Sequence, residues 1–160
     1  MINLFKSAKK LNIEAPISGK IIPLETVSDE VFAQKMMGEG IAIIPNDSQI
    51  VSPVDGIVGM VADTKHALGI KAKNGLEIVL HLGIDTVELD GSPFTISVND
   101  GDSIKAGQPL ATMNIEEIKS ADKDPVVMTL ITNSSVKVKE LDIASGNINN
   151  SEVVAKITLN

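Results

Sequence analysis

Glycine, proline, asparagine and aspartate punctuate this chain so densely that only short apolar runs remain between them. Those runs are rich in β-branched residues: Lys20–Pro23, Ile41–Ile44, Ile57–Val61, Leu76–Leu82, Val126–Thr132, Ser135–Val138 and Val153–Leu159. Short strands at close spacing predict an all-β fold, an antiparallel sandwich or barrel. One or two short helical turns are expected to interrupt it. The clearest lies where Asn114 can cap a turn carrying Ile115 and Ile118, with Asp124–Pro125 closing it.

The chain also repeats itself. Ala15-Pro16-Ile17-Ser18-Gly19-Lys20-Ile21 is echoed by Ser52-Pro53-Val54-Asp55-Gly56-Ile57-Val58, a Pro-x-x-Gly turn that feeds an apolar strand. A second pair, Gly101 to Leu110 and Ser145 to Val154, reads twice as a short strand, a tight turn and a returning strand. The expectation is an internal duplication, with two related halves packed face to face.

At 160 residues the chain is the size of one ordinary domain. Residues 1–10 are read as a flexible tail and 11–160 as a single domain. The net charge of −7 and the three aromatic residues, Phe5, Phe32 and Phe94, disfavour nucleic-acid binding. Without cysteine there are no disulfides, thiolate metal sites or cysteine nucleophiles. Arginine is absent too, so lysine, histidine, hydroxyls or backbone N–H groups must hold any anion. The start has no apolar signal core, and nothing later reaches the roughly 20 apolar residues of a membrane span. We therefore expect a cytoplasmic protein. Phe5 among Lys6, Lys9 and Lys10 offers a weak membrane-surface anchor, against the simpler reading of a frayed end.

The only two histidines carry the chemistry that remains. Alternation places Leu76, Ile78, Leu80 and Leu82 on one strand face, and Glu77, Val79 and His81 on the other. An outward imidazole that is neutral near physiological pH can serve as a nucleophile or a general base. Gly83 then permits close approach of a backbone or partner, and Asp85, Thr86 and Glu88 follow as polar neighbours. His66 has the parity of Leu68, Ile70 and Ala72, which predicts a half-buried ring. It is either a core-edge residue satisfied by backbone or Thr64, or, if the two strands are neighbours, a fixed donor beside His81.

Gly75-Leu76-Glu77-Ile78-Val79-Leu80-His81-Leu82-Gly83-Ile84-Asp85-Thr86-Val87 resembles the signature of the glucose-type enzyme IIA domain of the bacterial phosphoenolpyruvate-dependent sugar phosphotransferase system. The resemblance extends through Ala15-Pro16 to Gly19, Val31-Phe32-Ala33, Met37 to Ile43, Ser52 to Gly56, Thr64 to Ala67 and the two glycine-containing hairpins. It implies that His81 takes a phosphoryl group from the carrier protein HPr and passes it to a cysteine of a sugar-specific IIB domain. His66 would donate a hydrogen bond to the phosphoryl oxygens, with Thr64 orienting it. Asp29 and Asp85 would be the flanking acidic pair, and Phe32, Met37, Val79 and Val87 part of an apolar docking ring. That ring is expected to be less aromatic here, with Ala62, Leu68 and Leu82 near positions where relatives often carry phenylalanine. Some relatives also regulate other transporters.

Positioning and charge stabilisation suffice for phosphoryl transfer between carriers, so no cofactor is expected. The family allows zinc held between His66, His81 and a partner's carboxylate, but no resident metal is predicted. Two other readings compete. The hairpin from Gly101 to Leu110 is like those of biotinyl and lipoyl domains, although the only Asp-Lys pair, Asp122-Lys123, sits in a loop without the required hairpin. Two histidines with a carboxylate also suggest a metal site, although no His-x-x-x-His spacing occurs. Gly38-Glu39-Gly40 reads as a turn before Ile41–Ile44, since no Gly-Lys-Ser/Thr follows it.

Overall fold

A computed structural model describes residues 9–160. The N-terminal anchor centred on Phe5 lies outside the described residues, whereas Lys10, assigned to the tail from sequence, opens a strand and pairs with Thr158.

An eight-stranded antiparallel sheet and two three-stranded sheets form a β-sandwich. The main core joins all three: Ile41, Ile70 and Leu80 from the large sheet meet Ile13 and Ile157 from one small sheet and Ile50 and Leu110 from the other. A smaller cluster of Leu24, Val27, Ala42, Ile84, Val126, Met128 and Leu130 lies on the opposite face of the large sheet. Val126 to Ile131 are consequently buried on both faces, which is why that run is continuously apolar apart from Thr129. No helix among the described residues is long and apolar enough to cross a membrane.

The large sheet has the same construction from either end. One half runs through strands Gly146–Ile148, Gly19–Ile22, Glu39–Pro45 and Asp124–Ile131; the other runs through Ser103–Ile104, Gly56–Val61, Ala67–Ala72 and Glu77–Ile84. They meet at the centre, where Leu80 faces Thr129. The duplicated hairpin and turn motifs pair with one another in each half. Their hydrogen bonds correspond as well: Asp55 Oδ1 accepts from Ala106 N at 2.8 Å, and its counterpart Ser18 Oγ accepts from Asn150 N at 2.9 Å. Gly107 N donates to Ser52 O at 2.8 Å, as Ser151 N donates to Ala15 O at 3.0 Å. The halves thus join edge to edge in one sheet, where a face-to-face arrangement was expected, because Glu77–Ile84 and Asp124–Ile131 complete each other's hydrogen-bond ladder.

Three local expectations are corrected. Ser135–Val138 is one helical turn, Ser134–Lys137, followed by the strand Val138–Ile143. Asn133, Ser134 and Ser135 are turn formers, and exposed Val136 has no apolar face to join. The helix Ile115–Ser120 is capped as predicted, Asn114 Oδ1 accepting from Glu117 N at 3.1 Å, but it ends at Ala121, before Asp122 at φ +60°. Pro125 belongs to the following strand, tolerated at a register break between Asp124 and Val127. Of Gly38-Glu39-Gly40, only Gly38 precedes the strand Glu39–Pro45; its φ of +103° and its closeness to the Ile131 carbonyl admit no side chain.

Candidate functional site

The strand Glu77–Ile84 sends Ile78, Leu80 and Leu82 into the main core and leaves Val79 and His81 half-buried on the other face. Its neighbour Ala67–Ala72 sets Ala67 opposite His81, and Leu82 N donates to His66 O at 2.7 Å. His66 stands just before that strand, half-buried, with Lys65 at φ +59° turning the chain into it. The two strands are neighbours, and the rings of His66 and His81 meet edge to face, 5.2 Å between centroids and 75° between planes, while Thr64 also contacts the His66 ring, as the core-edge reading expected.

Hydrogen bonds fix the two rings differently. His81 Nδ1 lies 2.7 Å from the Gly83 carbonyl, and a carbonyl only accepts, so the ring proton is on Nδ1 and Nε2 keeps its lone pair. Thr64 Oγ1 lies 2.5 Å from His66 Nδ1. When that hydroxyl donates, the proton of His66 sits on Nε2, making the ring a donor. With the Thr64 hydroxyl donating, a nitrogen acceptor and an N–H donor stand side by side.

A second element covers His81. Asp29 caps the one-turn helix Glu30–Ala33, its Oδ1 accepting from Val31 N at 2.8 Å. The helix places Phe32 over His81, 4.8 Å between ring centroids at 54°. The resemblance supplied Phe32 as a docking residue; its packing on the His81 ring was not anticipated. Burial holds both imidazoles below their ordinary pKa. For His81 the Gly83 hydrogen bond opposes this, the His66 ring adds to it, and the charges of Asp29 and Asp85 pull the other way. Both rings are therefore neutral at pH 7.

Among the residues assigned to the apolar ring, Val79 and Phe32 each pack against the smaller cluster, and Met37 and Val87 are exposed. Val31 and Met36 are exposed apolar residues beside them in sequence that were not singled out. Leu68 and Leu82 are wholly buried and belong to the core, so they are no part of a surface ring. Thr86, read as a polar neighbour, is also wholly buried.

The competing readings find no site. Lys123, the candidate for modification, pairs with Glu88 at 3.2 Å in the loop after the helix Ile115–Ser120. Among the described residues no three of His, Cys, Asp and Glu gather as a metal would need.

Comparison with known proteins gives one answer. Residues 11–136 match the family model described as phosphoenolpyruvate-dependent sugar phosphotransferase system, EIIA 1. The chain is 45% identical over 157 residues to the PTS system glucose-specific EIIA component of Oceanobacillus iheyensis, covering 96% of this chain and 92% of that protein. It is 48% identical over 126 residues to the component of the same name from Staphylococcus epidermidis, covering 79% of this chain and 76% of that one. The glucose permease IIA structure from Mycoplasma capricolum superposes with a TM-score of 0.83 at 36% identity, covering 92% of this chain and 96% of that one. The chain therefore belongs to the EIIA type 1 family of the phosphoenolpyruvate-dependent sugar phosphotransferase system, and is a phosphoryl-carrying component of that system.

Proposed function

We propose that His81 Nε2 is the phosphoryl acceptor, that His66 stabilises the group in transit, and that Thr64 orients His66. The family works with HPr and with IIB domains in general; on this reading phospho-HPr is the donor here and a IIB cysteine the acceptor. The observation that carries the assignment is the 2.7 Å bond from His81 Nδ1 to Gly83 O, which leaves Nε2 as the nucleophilic nitrogen beside a second imidazole. In-line transfer needs a neutral attacking nitrogen and a donor toward the spread negative charge; the two depressed pKa values and the Thr64 contact support both roles.

Asp29 and Asp85 flank the acceptor as a negative pair that keeps phosphohistidine from becoming too stable. Phe32, Met37, Val79 and Val87, extended by Val31 and Met36, form a shallow apolar surface on which successive protein partners dock and from which they leave. The protein acts in the cytoplasm, and the names of its relatives favour a permease of the glucose class.

Incubation with phosphoenolpyruvate, enzyme I and HPr tests the assignment. An acid-labile, base-stable phosphate should appear on the wild-type chain and be absent from His81→Ala. Label retained by a folded His81→Ala protein would refute it.

A further inference from the structure

Thr86 is wholly buried, yet its side chain has a partner: Oγ1 donates to the Leu82 carbonyl at 2.6 Å. The bond closes a tight loop from Leu82 to Thr86 that contains Gly83 at φ +83° and Asp85 at φ +61°. The Thr86 methyl is pressed against Gly83, where a Cβ would lie 2.5 Å from Thr86 Cγ2 and 2.9 Å from the Asp124 carbonyl. The Leu82 peptides are therefore held at both ends, N–H by the His66 carbonyl and C=O by the Thr86 hydroxyl. The next carbonyl along is that of Gly83, the group that receives the Nδ1 proton of His81.

We infer that Thr86 is a positioning residue: hydroxyl and methyl together fix the Leu82–Gly83 peptide, so that the Gly83 carbonyl keeps the His81 proton on Nδ1 and leaves Nε2 bare. Gly83 makes the loop possible but by itself leaves it loose, because glycine has the widest conformational freedom of any residue. A carbonyl free to swing no longer selects between the two neutral tautomers, and in the tautomer protonated on Nε2 the lone pair lies on Nδ1, on the Gly83 side of the ring, so Nε2 cannot attack phosphorus. The inference deepens the reading of His81 as acceptor and rests on it for consequence, although the tautomer itself is measurable without it.

The test is ring-nitrogen NMR of the full ¹⁵N-labelled chain above pH 7, with phosphorylation by HPr measured on the same samples. Wild type should show a protonated Nδ1 and an unprotonated Nε2 at His81. Thr86→Val keeps the shape and loses the hydroxyl; its His81 nitrogens should move toward the averaged shifts of mixed tautomers, and phosphorylation should slow by about tenfold, one hydrogen bond's worth. Thr86→Ser keeps the hydroxyl and should retain the wild-type tautomer. Unchanged shifts in folded Thr86→Val overturn the inference. If that variant fails to fold, loss of the Nδ1-protonated form in Thr86→Ser overturns it instead. Label found elsewhere than His81 in the wild-type chain overturns the acceptor reading, while the shifts still decide the role of Thr86.

Discussion

The rings of His66 and His81 stand edge to face with centroids 5.2 Å apart, one tied through Nδ1 to a hydroxyl and the other through Nδ1 to a carbonyl. The two Nδ1 atoms thus meet chemically different partners. A carbonyl forces His81 to donate and to present a lone pair, whereas a hydroxyl allows His66 to accept and to present a proton.

Removing the donor should separate the two halves of the reaction. His66→Ala is expected to fold and to accept phosphate from HPr within a few-fold of wild type, but to pass it to a IIB domain about a hundredfold more slowly, the usual cost of a donor aimed at developing charge. Rapid-quench measurement of both steps checks this; equal slowing of both would assign His66 to the nucleophile's own machinery.

Burial lowers the pKa of both histidines in the folded protein, so the unfolded chain takes up protons first as pH falls. Their effect on stability is nil above the unfolded value of about 6.5 and becomes a loss as pH drops through the window below it. Acceptance of phosphate should stay level from pH 8 to below 6.5 and then fall as His81 gains its second proton. A titration of the transfer rate with a midpoint at or above 6.5 would contradict this.

Phe32 supplies part of the cover that depresses His81. Phe32→Ala should move the His81 midpoint up toward its ordinary value, read by NMR titration, at a stability cost of about 1 kcal/mol because the ring is only half-buried. A midpoint that stays put would mean that sheet neighbours alone desolvate the imidazole.

Asp85 raises the His81 pKa through its charge. Asp85→Asn should lower that pKa further and shift the phosphoryl equilibrium with HPr toward this protein by roughly two- to tenfold, as for a partly screened charge. An unchanged equilibrium constant would count against the proposed role of the acidic pair.

Thr129 places a hydroxyl in the core opposite Leu80, at the centre of the sheet, with no hydrogen-bond partner among the described residues. Valine has nearly the same shape and nothing to desolvate. Thr129→Val should raise stability by about 1 kcal/mol and the melting temperature by about 2–4 °C. A lower melting temperature would mean that the hydroxyl has a partner after all.

The alternation through Leu76 to Leu82 was legible because a sheet with one core face imposes a period of two on any strand that lies in it. The helical cap at Asn114 was legible for a similar reason, since its donor and acceptor lie three residues apart. Ser135–Val138 was not, because a four-residue run becomes strand or turn according to what lies beside it. Leu68 and Leu82 show a limit on the functional side: likeness to relatives brought them near the docking surface, although alternation had set Leu82 on the face opposite His81, and their burial assigns both to the core.

The sequence alone determined the all-β class, the duplicated turn motifs, the outward parity of His81 and, through its motifs, the family. These are properties of local periodicity and of residue types at fixed spacing. The tertiary structure decided which way His66 points, that Phe32 lies over His81, and that Thr86 is buried against Gly83. The first and last depend on strand register or on a loop in left-handed conformation, and the second on a one-turn helix packed over the sheet, where the chain departs from the repeating geometry by which a sequence can be read.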